Sequence, residues 1–197
     1  MVRWSCVVCD EPAACDVVGV VGKQIDQHDA TELEQLYRDS AGDVHGYAIS
    51  LLGDRAGAED VTALAFERLY RSRARLDRSR GTPRALLFTI ARNAALDELR
   101  RRRRHPHGGL VEEQLVDEPL AAEDIEHAER RATVHAAMLE LPLRERELVL
   151  LKFHGQLSNG ELARVLGLSE SNVGTRLHRA LMQLRETCAE LGRKEVA

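Results

Sequence analysis

The chain has 197 residues, of which 44% are hydrophobic and 4% aromatic, so it can form one or two small domains with mainly aliphatic cores. No apolar run is long enough to cross a bilayer, which predicts a cytoplasmic protein without membrane insertion. A formal net charge of -4 excludes a uniformly basic DNA-binding surface. Leu, Ala, Arg and Glu dominate and few segments alternate with period two, so the sequence predicts an all-α fold.

The charge is nevertheless segregated along the chain. Residues 71–104 hold twelve arginines against three acidic residues, whereas residues 105–129 hold eight acidic residues and no Lys or Arg. This pattern predicts a basic nucleic-acid-binding surface followed by an acidic tether.

Residues 1–29 show no sustained periodicity, which predicts a flexible leader. Cys6, Cys9 and Cys15 have a C-x2-C-x5-C spacing that could hold zinc if His28 or another ligand completed the site, but no second cysteine pair follows. The alternative, which we favour, is a set of reduced thiols in a poorly ordered extension. We expect no metal and no other cofactor.

Three amphipathic helices are predicted within a first domain at 30–104. The first begins at Thr31, where Thr31 and Glu34 match a capping box, and it ends at Gly53. The second covers about 56–73 and is followed by a loop at 75–83. Pro83 opens the third. The residues expected to face inward are Leu33, Leu36, Tyr37, Val44, Tyr47, Ala48 and Leu51, then Ala58, Val61, Ala65, Phe66 and Leu69, then Leu86, Leu87, Ile90, Ala91, Ala94, Ala95 and Leu99.

The third predicted helix ends in five consecutive arginines, Arg100 to Arg104. One or two cations would suffice to complement the helix dipole. Five adjacent arginines repel one another, which favours binding of this helix end to an external polyanion. A solvated basic tail is the alternative.

Residues 105–125 combine acidic residues with Pro and Gly, which predicts a flexible linker. A second helical domain is predicted at 126–191, with a tail at 192–197. In it, one helix runs to about Leu139, and another begins with Pro142 at its first position and ends at Gly155.

A helix-turn-helix is predicted from Leu157 to Leu184. Ser158 caps its first helix, with Glu161 in capping-box position, and Gly167 supplies a left-handed turn. Ser169 caps the second helix. Its exposed face carries side chains able to contact phosphates and base edges in a major groove: Asn172, Thr175, Arg176, Arg179 and Gln183. The alternative is an ordinary helix pair of a bundle.

Three blocks together resemble the extracytoplasmic-function (ECF) sigma factors of bacterial RNA polymerase. They are LLGDRAGAED (51–60), IARNAALDELRRRRR (90–104) and LPLRERELVLLKFHGQLSNGELARVLGLSESNVGTRLHRAL (141–181). The resemblance covers roughly residues 32–190 and implies a region 2-like and a region 4-like domain. It also implies three partners: the core polymerase with its largest catalytic subunits, promoter DNA and an anti-sigma factor.

The resemblance assigns each surface a role. The region 2-like domain would open the minus-ten element with Arg80, Arg84 and Asn93, and would hold upstream phosphates with Arg100, Arg101, Arg102 and Arg103. The region 4-like domain would contact the minus-thirty-five element through Ser169, Asn172, Thr175, Arg176 and Arg179. Polymerase would be bound through Asp60, Ala63, Leu64 and Glu67.

Three positions depart from the family pattern. Ala63 and Leu64 replace a common Gln-Glu pair, which implies apolar docking on polymerase. Leu86 replaces a tryptophan, so melting would depend more on the loop at 76–82, because an aliphatic side chain stacks poorly on bases. Gly174 replaces a basic residue, which removes one DNA contact. Glycine also lowers the stability of the second helix of the helix-turn-helix by about 1 kcal/mol.

The sequence thus predicts a non-enzymatic sigma factor that directs core polymerase to promoters. The alternative is a stand-alone helix-turn-helix regulator that binds duplex DNA without polymerase. An enzyme is disfavoured because no phosphate-binding glycine loop, zinc-protease motif or supported catalytic triad occurs. His154 and His178 are expected to be helix-surface residues.

Overall fold

The computed structural model describes residues 27–72, 81–104 and 125–195. Within these ranges the chain forms seven α-helices and no strand, which confirms the predicted all-α fold. None of the described helices is both long and apolar enough to cross a bilayer. The helices are α1 (Gln27–Leu52), α2 (Arg55–Ser72), α3 (Pro83–Arg104), α4 (Ile125–Glu140), α5 (Leu143–Phe153), α6 (Asn159–Leu166) and α7 (Glu170–Glu195).

Helices α1, α2 and α3 pack on one another to form the N-terminal unit. Tyr47 and Phe88 are fully buried at its centre, with their rings edge to face and their centroids 5.9 Å apart. Small residues on all three helices allow the backbones to approach closely. The fully buried alanines are Ala48, Ala58, Ala65, Ala91 and Ala95.

The turn between α1 and α2 follows from two residues. Gly53 takes the left-handed conformation (φ 68°) that ends α1. The next residue, Asp54, accepts a hydrogen bond from the backbone N–H of Gly57 at 2.7 Å, which caps the start of α2. The two helices therefore fold back on each other after a very short connection.

Helices α4, α5 and α6 all pack against α7 to form the C-terminal unit. A small core of Leu141, Val149 and Ala180 holds α5 and α7 together beside the end of α4. Arg146 donates hydrogen bonds to the carbonyls of Leu139 (2.5 Å) and Leu141 (3.2 Å), which have no partner within α4. The unit is thus closed at the α4–α5 turn by a side chain as well as by apolar packing.

The two units share one apolar core. Leu148, Leu151 and Leu157 of the C-terminal unit belong to the same buried cluster as Tyr47 and Phe88 of the N-terminal unit. Helix α1 contacts α5, and α3 contacts α6. The sequence predicted two separate domains, and it carried no sign that they pack together.

Three predicted boundaries are wrong by a few residues. Helix α1 begins at Gln27, so Thr31 lies inside it and is not its N-cap. Pro142 is the N-cap of α5 rather than its first residue. Helix α7 continues to Glu195, into the predicted tail, because Leu184, Cys188 and Leu191 extend its half-buried stripe.

Other predictions concern single side chains or fall outside the described residues. Tyr37 was expected to face inward, but it is 54% exposed and packs edge-on against Phe66, with ring centroids 4.7 Å apart. The predicted leader up to residue 26, most of the loop at 75–83 and the linker at 105–124 lie outside the described residues, together with Arg80, Cys6, Cys9 and Cys15.

Candidate nucleic-acid interface

The helix-turn-helix is built as the sequence predicts. The Ser158 hydroxyl accepts from the backbone N–H of Glu161, and the Glu161 carboxylate accepts from the N–H of Ser158, so the capping box is complete. Gly167 ends α6 in the left-handed conformation with φ 67°. The Ser169 hydroxyl accepts from the N–H of Asn172 at 3.2 Å and caps α7. These contacts fix where α6 ends and where α7 begins. The orientation of α7 relative to α6 is therefore determined by residues of the turn itself.

The first turns of α7 present a polar, solvent-facing surface. Asn172, Thr175 and Arg179 are exposed, and Arg176 is half-buried on the same side of the helix. The Nε of Arg176 donates to the Oδ1 of Asn172 at 3.0 Å. Val173 and Ala180 on the opposite side are buried. The structure therefore brings together all the predicted helix-turn-helix residues at one exposed helix start, which suits the edge of a major groove.

The arginines at the end of α3 are not equivalent. Arg102 donates to Asp54 (2.6 Å), Glu98 (2.8 Å) and the Leu52 carbonyl (3.2 Å), so it ties α3 to the α1–α2 turn. Arg101 forms two hydrogen bonds of 2.7 Å with Glu98, and these are the main reason that the pKa of Glu98 falls to about 2. Arg102 also contributes to that shift.

The remaining cations of this run are more available. Arg100 pairs with Asp97 at 2.8 Å in an exposed contact, which costs little to exchange for a phosphate. Arg103 is exposed and has no ion pair within the described residues. Arg103 is thus the predicted phosphate contact that the fold leaves most available.

The predicted minus-ten residues are separated by the structure. Asn93 is exposed on α3. Arg84 is half-buried and makes hydrogen bonds to Asp43 (2.5 Å) and Ser40 (2.9 Å), and to two carbonyls of the C-terminal unit. Arg80 cannot be placed relative to them, because it lies outside the described residues.

The predicted polymerase-binding residues share one side of α2. Asp60, Ala63 and Glu67 are exposed and Leu64 is half-buried. Glu67 pairs with Arg71 at 2.7 Å. The aromatic side chains of Tyr37 and Tyr70 are also exposed on this unit, and sequence reasoning did not assign them to any surface.

Sequence reasoning also missed a buried ion pair between the units. Arg92 of α3 lies 2.6 Å from Glu147 of α5 (Nε to Oε1), and Glu147 is only 5% exposed. A signal was available, since Glu147 stands four residues from both Leu143 and Leu151 and therefore on the apolar side of α5. His154 is likewise not a surface residue, because it packs against α1 at Gly46. His178 is exposed as predicted.

The described residues contain no group of three or more His, Cys, Asp or Glu side chains that could hold a metal ion. Cys188 is a free, half-buried thiol in α7.

Comparison with known proteins assigns the two units. Residues 36–105 match the family model for sigma-70 region 2, and residues 131–184 match that for sigma-70 region 4. The chain is 30% identical over 164 residues to the ECF RNA polymerase sigma factor SigL of Mycobacterium tuberculosis, which covers 83% of this chain and 93% of SigL. This chain belongs to the ECF sigma factors.

Two further comparisons agree with that assignment. This sigma factor is 33% identical over 184 residues to the ECF sigma factor SigE of Mycolicibacterium smegmatis, which covers 92% of the chain and 70% of SigE. The fold matches that of the sigma factor RpoE from Bartonella quintana, solved with the anti-sigma factor NepR, with a TM-score of 0.63. That match has 21% identity and covers 80% of this chain and 96% of RpoE.

The predicted function is thereby confirmed. As a sigma factor, the protein is not an enzyme, and it acts with RNA polymerase core on promoter DNA to initiate transcription. No comparison favours the stand-alone regulator.

Proposed function

We propose that this sigma factor contacts the minus-thirty-five element through the exposed start of α7. The supporting observation is the grouping of Asn172, Thr175, Arg176 and Arg179 on one side of a helix whose N-terminus is capped by Ser169. Amide and guanidinium groups pair with adenine and guanine edges in the major groove. The hydrogen bond from Arg176 to Asn172 holds two of these side chains in a fixed relative orientation.

The N-terminal unit would act on the minus-ten element. Asn93, Arg100 and Arg103 are all exposed, so Asn93 would offer its amide to an unstacked base and the two arginines would contact phosphates. Leu86 is half-buried in the core and stands where the family pattern has tryptophan, so it offers no aromatic ring to stack on. Capture of the displaced strand would then depend on polar and charged groups, including Arg84 and Arg80.

We also propose that α2 docks on the core polymerase through Asp60, Ala63, Leu64 and Glu67. An alanine and a leucine at the centre of this surface favour apolar contact with the polymerase, flanked by the two carboxylates. Because RNA polymerase is an intracellular enzyme in bacteria, the sigma factor would act in the cytoplasm.

An anti-sigma factor is a further proposed partner. Two of the structures that this fold matches, RpoE with NepR and CnrH with the cytosolic domain of CnrY, are complexes with regulatory chains, although their identity to this chain is below 25%. The support for such a partner is therefore the shared fold and the family.

Run-off transcription tests the promoter assignments. Purified full-length protein and core polymerase would be incubated with a panel of genomic promoter fragments, and the recovered start sites would define the shared elements. Arg179→Ala should reduce initiation most where the minus-thirty-five element matches the consensus. Arg185→Ala is the matched control, since Arg185 is exposed on the same helix but lies beyond its first turns.

Two results would contradict these assignments. Equal loss of initiation in the Arg179 and Arg185 variants would remove the start of α7 from the DNA contact. Tight binding of a promoter duplex by the free protein, without retention of core polymerase, would favour the stand-alone regulator instead.

A further inference from the structure

We propose that Asn159, the first residue of α6, donates a hydrogen bond from its side-chain amide to a DNA phosphate of the minus-thirty-five element. The phosphate would lie where Gly174 leaves α7 without a side chain. The family pattern has a basic residue at position 174, so a neutral amide on one helix takes the place of a cation on the next. This inference rests on the proposed contact of α7 with that element.

The first observation is the closeness of the two residues. A Cβ atom at Gly174 would meet the Nδ2 atom of Asn159 at 3.9 Å, which is an ordinary van der Waals distance. Both residues are half-buried. The amide of Asn159 therefore lies beside the part of α7 that carries no side chain, and a long side chain at position 174 would extend past it.

The second observation is the orientation of this amide. The ammonium group of Lys152 donates to the Leu157 carbonyl at 3.0 Å and to the Oδ1 of Asn159 at 3.4 Å. An ammonium group has donors only, so the oxygen of the amide must be the atom that faces it. Within the described ranges, Nδ2 has no acceptor. Its N–H groups are therefore directed away from Lys152 and remain available to a ligand.

Position 174 is on a flank of the helix proposed to enter the groove. Ser171 and His178, which stand three residues before it and four after it, share its side of α7 and are both exposed. A helix with its side chains is about 10–12 Å wide and the major groove is about 12 Å wide, so the flanks of the helix face the phosphates on the groove walls. The ligand expected at the Asn159 amide is thus a phosphate and not a base.

The backbone at the start of α6 is a poorer candidate for the same phosphate. A Cβ atom at Gly160 would lie 3.7 Å from the Oε2 of Glu170, so a carboxylate already stands next to this residue. Like charges repel, and a phosphate beside that carboxylate would be disfavoured. The contact is therefore assigned to the side chain of Asn159 on the Gly174 side, and not to the N–H groups of the helix start.

Exchange of a cation for an amide has a measurable consequence. Lysine and arginine contacts to phosphates release counterions, which makes binding weaken steeply with salt. A neutral amide releases none, while its hydrogen bond to a charged acceptor still strengthens binding about tenfold. The Asn159 contact should therefore contribute affinity without contributing to the salt dependence.

Promoter binding by holoenzyme over a salt series tests the contact. The full-length chain would be combined with core polymerase, and binding to a promoter with a minus-thirty-five element would be measured. Asn159→Ala should weaken binding about tenfold with an unchanged slope of log K against log salt. Asn159→Asp should weaken it further, because a carboxylate of the same shape repels the phosphate.

Two features separate this loss from unfolding or from a general charge effect. Asp at position 159 keeps the contact with Lys152 and suits the start of a helix, so the unfolding temperature of Asn159→Asp should not fall. Ala189→Asp adds the same charge at an exposed position fifteen residues beyond Gly174. That is about 22 Å along the helix, more than two Debye lengths at 0.15 M salt, so it should change affinity less than about twofold.

Gly174→Arg tests whether the two positions share one phosphate. It should steepen the salt slope by about 0.9, because it adds one cationic phosphate contact. In this background Asn159→Ala should weaken binding less than about twofold, since the arginine occupies the phosphate that the amide would bind.

The outcomes distinguish this inference from the proposed function. Unchanged affinity in Asn159→Ala, with a clear loss in Arg179→Ala, would overturn the Asn159 contact and leave the proposed function standing. Equal effects of Asn159→Ala with glycine and with arginine at position 174 would overturn the shared phosphate. No loss in Arg179→Ala would refute the proposed use of the start of α7.

Discussion

The two surfaces proposed to bind DNA in this sigma factor differ in how their side chains are used within the protein. On α7, the predicted contacts are exposed except for the half-buried Arg176, and the hydrogen bonds described for them are all made within the helix and its N-cap. On α3, Arg102 and Arg84 are engaged by other helices, and Arg103 remains unpaired within the described residues. A run of like charges in the sequence therefore does not predict which of its side chains are free to bind a ligand. A capped helix start with one polar side predicts this better.

The largest expected effect contrasts base contact with phosphate contact. Arg176→Ala should weaken holoenzyme binding to a promoter by about 1–3 kcal/mol and relax its preference for the upstream element. Arg103→Ala should weaken binding similarly on all sequences and reduce the slope of log K against log salt by about 0.9. Filter binding over a salt series measures both. A uniform loss in the Arg176 variant would make that residue a phosphate contact too.

The next contrast is between neighbouring arginines on α3. Arg102→Ala should lower the free energy of unfolding by about 1.5 kcal/mol, because it removes charged hydrogen bonds to Asp54 and Glu98 from a side chain that is only 34% exposed. Arg103→Ala should change it by less than about 0.5 kcal/mol. Urea denaturation supplies both values, and equal losses would show that Arg102 does not hold the α1–α2 turn.

Two glycines of the helix-turn-helix should respond in opposite directions. Gly167→Ala should destabilise the protein by about 1–2 kcal/mol, because φ 67° is unfavourable for any residue with a Cβ atom. Gly174→Ala should stabilise it by about 0.5–1 kcal/mol, since that position is helical and a Cβ atom there meets only Asn159 at 3.9 Å. Thermal unfolding of both variants gives the signs, and a stabilised Gly167 variant would contradict the turn geometry.

The smallest expected effect is a pH dependence of stability at His154, where the two units pack together. Burial lowers the pKa of His154 below its ordinary value of 6.5, and the nearby Asp43 carboxylate opposes the shift. The unfolded state therefore binds a proton more readily. The contribution of His154 is complete above about pH 6.5 and is lost as the pH falls below it.

The measurement is the unfolding temperature at pH 7.5 and 5.5. His154→Gln should reduce the dependence on pH over this range. His178→Gln, at an exposed position on α7, should retain it. Identical pH profiles for the two variants would show that protonation of His154 is not linked to unfolding.

Much of the local structure followed from sequence because it depends on neighbouring residues. The capping box of Ser158 and Glu161, the left-handed Gly167 and the start of α3 at Pro83 involve only short-range geometry, and each was predicted. The apolar stripes of the helices were predicted for the same reason. Tyr37 shows the limit, since helical spacing alone placed it inward, while its partner Phe66 reaches it at the surface.

The sequence by itself determined the helices, their caps, the charge segregation and the family resemblance, because these depend on residue type and spacing. Only the tertiary structure decided which cations are bound internally and that the two units share one core. Arg84 meets His154 and Arg92 meets Glu147 across separations of 70 and 55 residues. No periodic pattern relates positions so far apart, and whether a charge is buried depends on what packs over it.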